Sequence, residues 1–479
     1  MKRLFLPLLA LGAGLLVSQA GANPYGSQLA ASESQFAPDQ AETVELSFYL
    51  NDIADSVLVE VFGPLPDTDT VRTFDLGALT PGMHSVEWDG KDDDEDLLPG
   101  GDDYSFRVIT EADGYNEWTN ITAGETSFPL TTGIAVIRDM NSPFFGMVAV
   151  LNSVPDDTGD YDAEELGLYL MNGDLTWYGG SAQAAYDAAM NDPATPWDPE
   201  EGVGSPWKVK AGIHDGMFYT GDWGAEGVTD AVYRYDLVNT AEQVLAPGVG
   251  DHSRLLTAFT TGTGEDTVLW GLDRDGADPD RPEVVRWDVG TDTAHTGDGT
   301  VVISSTGWAG DPIIGTSILW SFRDFTIDDE GNIYVGNRRW GGAEARYIKF
   351  DSEGEPIWSR SGLDVFGEGY PAENGDGVYP YGLAYHDGNL YAVDDFIRIV
   401  AILDAETGTF LDFFEITDPD ALNGRGIAVD VAGNVYVAEH GVNTVSVWSP
   451  WGANDFTSTY HSAVTIGEPV TVPDWRAYE

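Results

Sequence analysis

The chain has 479 residues and no cysteine, and its 81 acidic side chains against 22 Lys and Arg give a formal charge of -59 at pH 7. That length accommodates two or three domains, and the missing Cys excludes crosslinks and thiol chemistry, so packing or bound ions must stabilise the fold. The charge excludes nucleic acid and anionic membranes as partners. The acids are spread along the chain, as on a solvated surface adapted to high salt, where screening limits self-repulsion. A surface that gathers cations is the sharper alternative.

The chain opens with Lys2-Arg3, the apolar run Leu4 to Val17 and the small triplet Ala20-Gly21-Ala22. This layout predicts a secretory signal peptide over 1–22, cleaved after Ala22, and a mature protein that is secreted, periplasmic or at the cell surface. No later run reaches the length of a membrane span. A polar stretch over 23–41 reads as a flexible lead. Alternation then begins: Val44, Leu46, Phe48 and Leu50 share one face, and Val57, Val59 and Val61 share another. Further runs end in Trp88 and Val108, and short strands at this spacing predict a small β-sandwich over 42–112.

Within it, GMHSVEWDGKDDDEDLLPGGDDYSFRV (Gly82 to Val108) resembles the FlgD-type immunoglobulin-like domain at Gly82, His84, Trp88, Asp89, Gly90, Pro99, Gly100 and Tyr104. The resemblance implies an accessory module that spaces or assembles, with no chemistry of its own. The inserted acids Asp92 to Asp96 depart from the family's usual turn.

After a connector over 113–131, helical patterns are nearly absent, apart from a short alanine-rich helix predicted at Ser181 to Met190. The rest repeats itself. DDEGNIYVGN (Asp328 to Asn337), YHDGNLYAVD (Tyr385 to Asp394) and DVAGNVYVAE (Asp430 to Glu439) are versions of one hairpin. Weaker copies run from Ile213 to Asp222, from Gly264 to Asp273 and from Phe144 to Asn152. Such units cannot bury both faces alone, so they stack and close into a β-propeller over 132–479. The last three resemble NHL repeats, with GIAVDVAGNVYVAEHGVNTV at Gly426 close to the family pattern. The fold class is therefore all-β, a small Ig-like β-sandwich followed by a six-bladed β-propeller. The count becomes seven if Tyr460 to Val472 pairs with the earliest strands as a closing blade.

Aligned, the repeats place one polar residue at a single register: Asn152, Asp222, Asp273, Asn337, Asp394 and Glu439. Rotation about the propeller axis predicts a ring near one mouth of the channel. Its acids Asp222, Asp273, Asp394 and Glu439 are the candidate ligands of a divalent cation such as calcium, which prefers carboxylate and carbonyl oxygens. The competing reading is that each merely ties down a loop as an Asx-turn. Trp223, Arg338, Arg339, Trp340 and His440 lie beside the ring and offer stacking area and oriented hydrogen bonds to a protein or saccharide ligand. His214 and His386 read as surface residues beside strand ends and turns. The acidic loop from Asp273 to Glu283 is a further calcium candidate, though it fails the EF-hand pattern.

YAVD and YTGD also resemble the metal-binding element of gluconolactonase-like lactonases. The partner Glu near the chain start and the Asn-Gly-Leu-Asp element of that family are missing. No nucleophile elbow, zinc-protease helix or phosphate loop is present, and no catalytic residue is assigned. The reading is an exported binding or scaffold protein that engages its ligand through the loops after the second strand of each blade. Its alternatives are a metal-dependent lactonase-like hydrolase or lyase, and a self-assembling subunit of an extracellular structure.

Overall fold

The computed structural model describes residues 23–467 apart from 125–126, 155–157, 191–205, 223–231, 236, 238–240, 246–254, 275–281, 293, 296–298, 317–318, 320, 339–344, 367–379, 395–397, 417–423 and 461. Alternating apolar residues build the N-terminal strands as expected. They are β1 (Gly26–Ala31), β2 (Gln35–Phe36), β3 (Val44–Leu50), β4 (Ala54–Phe62), β5 (Thr70–Leu79), β6 (Gly82–Trp88) and β7 (Asp103–Tyr115). One sheet runs β1-β3-β6 and the facing one contains β2, β7, β4 and β5. Their inner faces enclose Phe48, Val59, Trp88, Tyr104 and Phe106.

The Trp-Asp-Gly motif now has a physical reason. Trp88 is fully buried, and its indole N–H donates to Lys91 O at 3.0 Å. Gly90 has φ 74° and faces Pro38, whose ring would meet an added Cβ at 2.7 Å. The inserted acids form an ordered turn: Asp92 Oδ1 accepts from the Asp94 and Asp96 amides, and Arg72 reaches both Asp92 O and Glu95.

Two expectations are corrected here. The stretch over 23–41 is not a flexible lead: β1 pairs antiparallel with β3, and Tyr25 and Phe36 are buried. Among its described residues the end of the chain joins the sandwich rather than a blade. Gly452–Thr459 and Val464–Ile466 run along the edge of β7, and Val464–Ile466 also pairs with β2. Val464 and Ile466 pack in the sandwich core beside Phe36, a pairing of the two ends of the chain that alternation within either end does not show.

The middle of the chain forms six sheets among the described residues. Their first strands are Thr131–Val136, Pro206–Ala211, Leu255–Thr261, Phe322–Ile327, Pro380–His386 and Gly424–Val429. Each contacts the next, and the last contacts the first. All six line one narrow cavity of about 70 Å3, so they surround a common axis as propeller blades do. In the last sheet the outer strand is β8 (Thr119–Asn120), which pairs antiparallel with Thr444–Ser449. A segment that precedes the first blade thus completes the last one, tying the ring shut. The predicted short helix is Ala182–Ala189, capped by Ser181 Oγ, and it packs on the third strand of the first sheet, Gly167–Met171. Among the described residues no helix is long and apolar enough to cross a membrane.

The Asp-x-x-Gly-Asn-x-Tyr repeats encode a turn with a side-chain knot. Asp328 Oδ1 accepts from the Glu330 and Asn332 amides, and its Oδ2 accepts from Asn332 Nδ2 and Tyr334 Oη at 2.8 Å each. Asp430 makes the same set with Ala432, Asn434 and Tyr436. Gly331 and Gly433, at φ 86° and 84°, supply the left-handed residue each turn requires. Tyr334 Oη also lies 3.1 Å from Ala405 O in the following blade, so the knot links neighbours. Tyr334→Phe is expected to lower stability by about 1–3 kcal/mol, since it removes a buried hydrogen bond to a carboxylate; urea denaturation of the purified chain measures it.

Candidate functional site

Asn152, Asp222, Asp273, Asn337, Asp394 and Glu439 all end the second strand of their sheets, and each stands opposite the first residue of the inner strand. In all six sheets the register shifts at that pair, so every inner strand begins with a bulge. The ring therefore lies one strand out from the axis. Asn152, Asp273, Asn337 and Asp394 are fully buried and Glu439 is nearly so. Asn152 Nδ2 donates to Glu165 O at 2.8 Å, Asn337 Oδ1 accepts from the Ser321 amide, and Glu439 Oε1 accepts from Ser446 Oγ at 2.6 Å. Asp273, Asn337, Asp394 and Glu439 all have partners.

Among the described residues no group of three or more His, Asp or Glu is placed to hold a metal ion. The Asp222 side chain, Trp223, Arg339, Trp340 and the loop over 275–281 lie outside the described residues. Arg338 donates its amide to Ser321 O and, like the ring, has a side-chain partner. His440 is partly buried, and burial with the nearby Arg425 pushes its imidazole down to about 4.

The inner strands carry groups that the sequence reading passed over. From the second blade, Lys208 and Lys210 reach Asp324 of the fourth, with Nζ–Oδ2 distances of 3.2 and 2.8 Å. Lys208 Nζ also donates to Tyr381 O and Arg425 O, and Lys210 Nζ to Leu383 O. Asp324 accepts in addition from the Leu383 amide and Thr257 Oγ1. This strut joins five blades through the axis and divides the channel. Lys208 and Asp324 are each 1% exposed. Burial pulls Lys208 down to about 8 against the pull of Asp324. Burial works to raise Asp324, but the two lysines outweigh it and hold the carboxyl below its usual range.

Above the strut, Lys208, Arg323 and Arg425 surround the Tyr381 ring at 5.2, 5.6 and 5.1 Å. The repeat alignment contained the signal, because Arg323-Asp324-Phe325, Tyr381-Gly382-Leu383 and Arg425-Gly426-Ile427 share one register at the bulge.

Below the narrow cavity the channel opens into a cup of about 580 Å3 at the turns between first and second strands. Arg138, Asp139, His214, Asp329, Tyr385 and His386 contribute its walls. Arg138 donates to Tyr385 O at 3.0 Å, and the Tyr385 ring stacks on Tyr334 at 6.0 Å. His386 is no simple surface histidine: burial first, then Arg138, push it down to about 4 against Asp387 and Asp329. It is neutral near pH 7 and offers one donor and one acceptor.

The sheets and their closed ring define a β-propeller joined to a small immunoglobulin-like sandwich. Residues 33–114 match the family described as the FlgD Ig-like domain, so the sandwich belongs to that family and the expected pairing of such a domain with a propeller holds. Solved structures resemble the chain at low identity. A structural genomics protein of unknown function from Bacteroides thetaiotaomicron is 13% identical over 89% of this chain and 98% of its own, with a TM-score of 0.43. A gluconolactonase from Xanthomonas campestris is 12% identical over 74% of this chain and 91% of its own, at 0.37. YCF48, solved with a D1 peptide, is 12% identical over 70% and 97%, also at 0.37. No curated protein matches the chain.

Proposed function

We propose that this protein is an exported binding and scaffold protein whose propeller takes a polar ligand, a saccharide or a segment of a partner protein, in the cup below the channel. The observation that carries this reading is the cup itself. It is concave and lies on the axis, and five blades supply its wall. Its guanidinium, carboxylates and imidazoles present donors and acceptors together, as a hydroxyl-rich or peptide ligand requires. The strut above it makes the cup a dead end, which suits retention rather than passage. Export is supported by the basic, apolar and small-residue succession before Asn23.

A glycan array followed by calorimetry with the best-bound oligosaccharide tests the proposal. Arg138→Ala and His386→Ala are each expected to weaken binding at least tenfold, about 1.4 kcal/mol or more. Unchanged affinity in both variants would place the ligand elsewhere. Binding of partner peptides but no glycan would select the protein arm.

A further inference from the structure

Three buried carboxylates stand on the elements through which the sandwich docks on the propeller. Asp52 comes from the β3–β4 turn, Asp174 from the turn after the third strand of the first blade, and Asp430 from the end of the last inner strand. All are at most 4% exposed. The surrounding contacts are the docking contacts. Tyr49 Oη lies 2.9 Å from both Asp174 Oδ2 and Thr176 Oγ1, the Asn23 amide donates to Ser449 Oγ, Asn434 Nδ2 donates to Asn23 O, and Gln28 N donates to Phe145 O.

Among the described residues no Lys or Arg forms an ion pair with any of the three. The basic group that reaches them electrostatically is Arg138, which acts on Asp430. Asp52 Oδ1 accepts from the Ile53 amide, but its Oδ2 is buried with no hydrogen-bond partner. A buried carboxylate oxygen without a donor is a poor place for a negative charge and a good place for a proton.

We propose that this joint is proton-operated: the sandwich docks on the propeller with a proton held on Asp52, and docking weakens when that proton is lost. The groups facing Asp52 agree. Burial, reinforced by Asp174 and Asp430 and opposed by the Ile53 amide, pushes Asp52 up to about 7. Burial pushes Asp430 up to about 6, with Asn434 and Tyr436 pulling it back. Tyr25, Tyr49 and Tyr436 are pushed upward and remain neutral, as does Tyr115, raised to about 12 by burial and Asp52.

A carboxyl raised in the docked state strengthens docking most below its undocked value, near 4. That strength is lost as pH rises through the docked value near 7 and changes little beyond it. The largest slope for one proton is about tenfold in the docking equilibrium per pH unit. His386 and His440, pushed down, act with the opposite sign on global stability, so a measurement local to the joint is needed.

Hydrogen exchange of the full chain at fixed high ionic strength, corrected for intrinsic rates, supplies it. Protection of the Gln28 amide is expected to fall up to tenfold per pH unit between about pH 5 and 7 and then level off. In Asp52→Asn it should stay flat, and in Asp174→Asn the fall should move to lower pH. A flat wild-type profile would overturn the proposal even if a variant failed to fold. So would a slope that survives Asp52→Asn, or a midpoint unmoved by Asp174→Asn.

Discussion

Ending the chain after Pro450 is expected to unfold the N-terminal sandwich and to leave the propeller blades folded. β7 is the central strand of its sheet, with β4 on one edge and the returning C-terminal segment on the other, from Gly452 opposite Tyr115 to Thr459 opposite Arg107 and on to Val464 opposite Tyr104. β2 pairs with that segment through Gln35–Thr465 and Phe36–Ile466. Truncation strips one edge of β7 and the partner of β2, and opens the core where Val464 and Ile466 are each 1% exposed beside Phe36, Trp88 and Tyr104.

Burying two such side chains contributes about 3–6 kcal/mol, against a total stability of about 5–15 kcal/mol for an ordinary domain. The lost ladder adds to this. Limited proteolysis should therefore cut within 24–115 at low protease in the truncated chain and not in the full one, with a red shift from exposed Trp88. Equal resistance of 24–115 in both chains would refute the expectation.

Replacing Asp324 with Ala is expected to cost about 3–5 kcal/mol, because it leaves Lys208 and Lys210 buried without their countercharge. The size of the loss comes from stranded charge rather than from the pair's own strength. A triple change, Asp324→Leu with Lys208→Met and Lys210→Met, should therefore recover much of it. Denaturant midpoints of the two variants against the wild type decide the matter, and equal losses in both would show that the strut is valued for its geometry instead. The sign with pH follows from the depressed Asp324 carboxyl. Its contribution is complete above the unfolded carboxyl's value, near 3.9, and is lost as pH falls through the lower folded value. Acid should thus reproduce in the wild type what Asp324→Ala does at neutral pH.

Both features show where sequence reasoning stops. The tryptophan motif of the sandwich, the repeated hairpins and the shared register of Asn152, Asp273, Asn337, Asp394 and Glu439 were legible, because each rests on spacing within a few dozen residues. The polar ring was expected near one mouth of the channel; its residues do end the second strands, but their burial and the bulges opposite them depend on the facing strand. Lys208 and Lys210 looked like ordinary strand charges until Asp324 and the carbonyls of Tyr381, Leu383 and Arg425 were brought to them from three other blades. The cup was missed although His214, Asp329 and His386 share one register of the repeated turn, two residues before its Gly, because the side chain there changes from blade to blade and only the closed ring brings them together.

The sequence by itself determined the periodicities: period-two strands, turns fixed by Asp, Gly and Asn, and a repeat that must stack to bury its faces. Tertiary structure alone decided the closures, namely the end of the chain completing the first domain, Thr119–Asn120 completing the last blade, and three buried acids standing at one joint. The physical reason is that alternation and turn chemistry act locally and specify which face is buried. The partner that buries it is selected by the whole chain's packing, and residues such as Phe36 and Ile466 carry no local trace of each other.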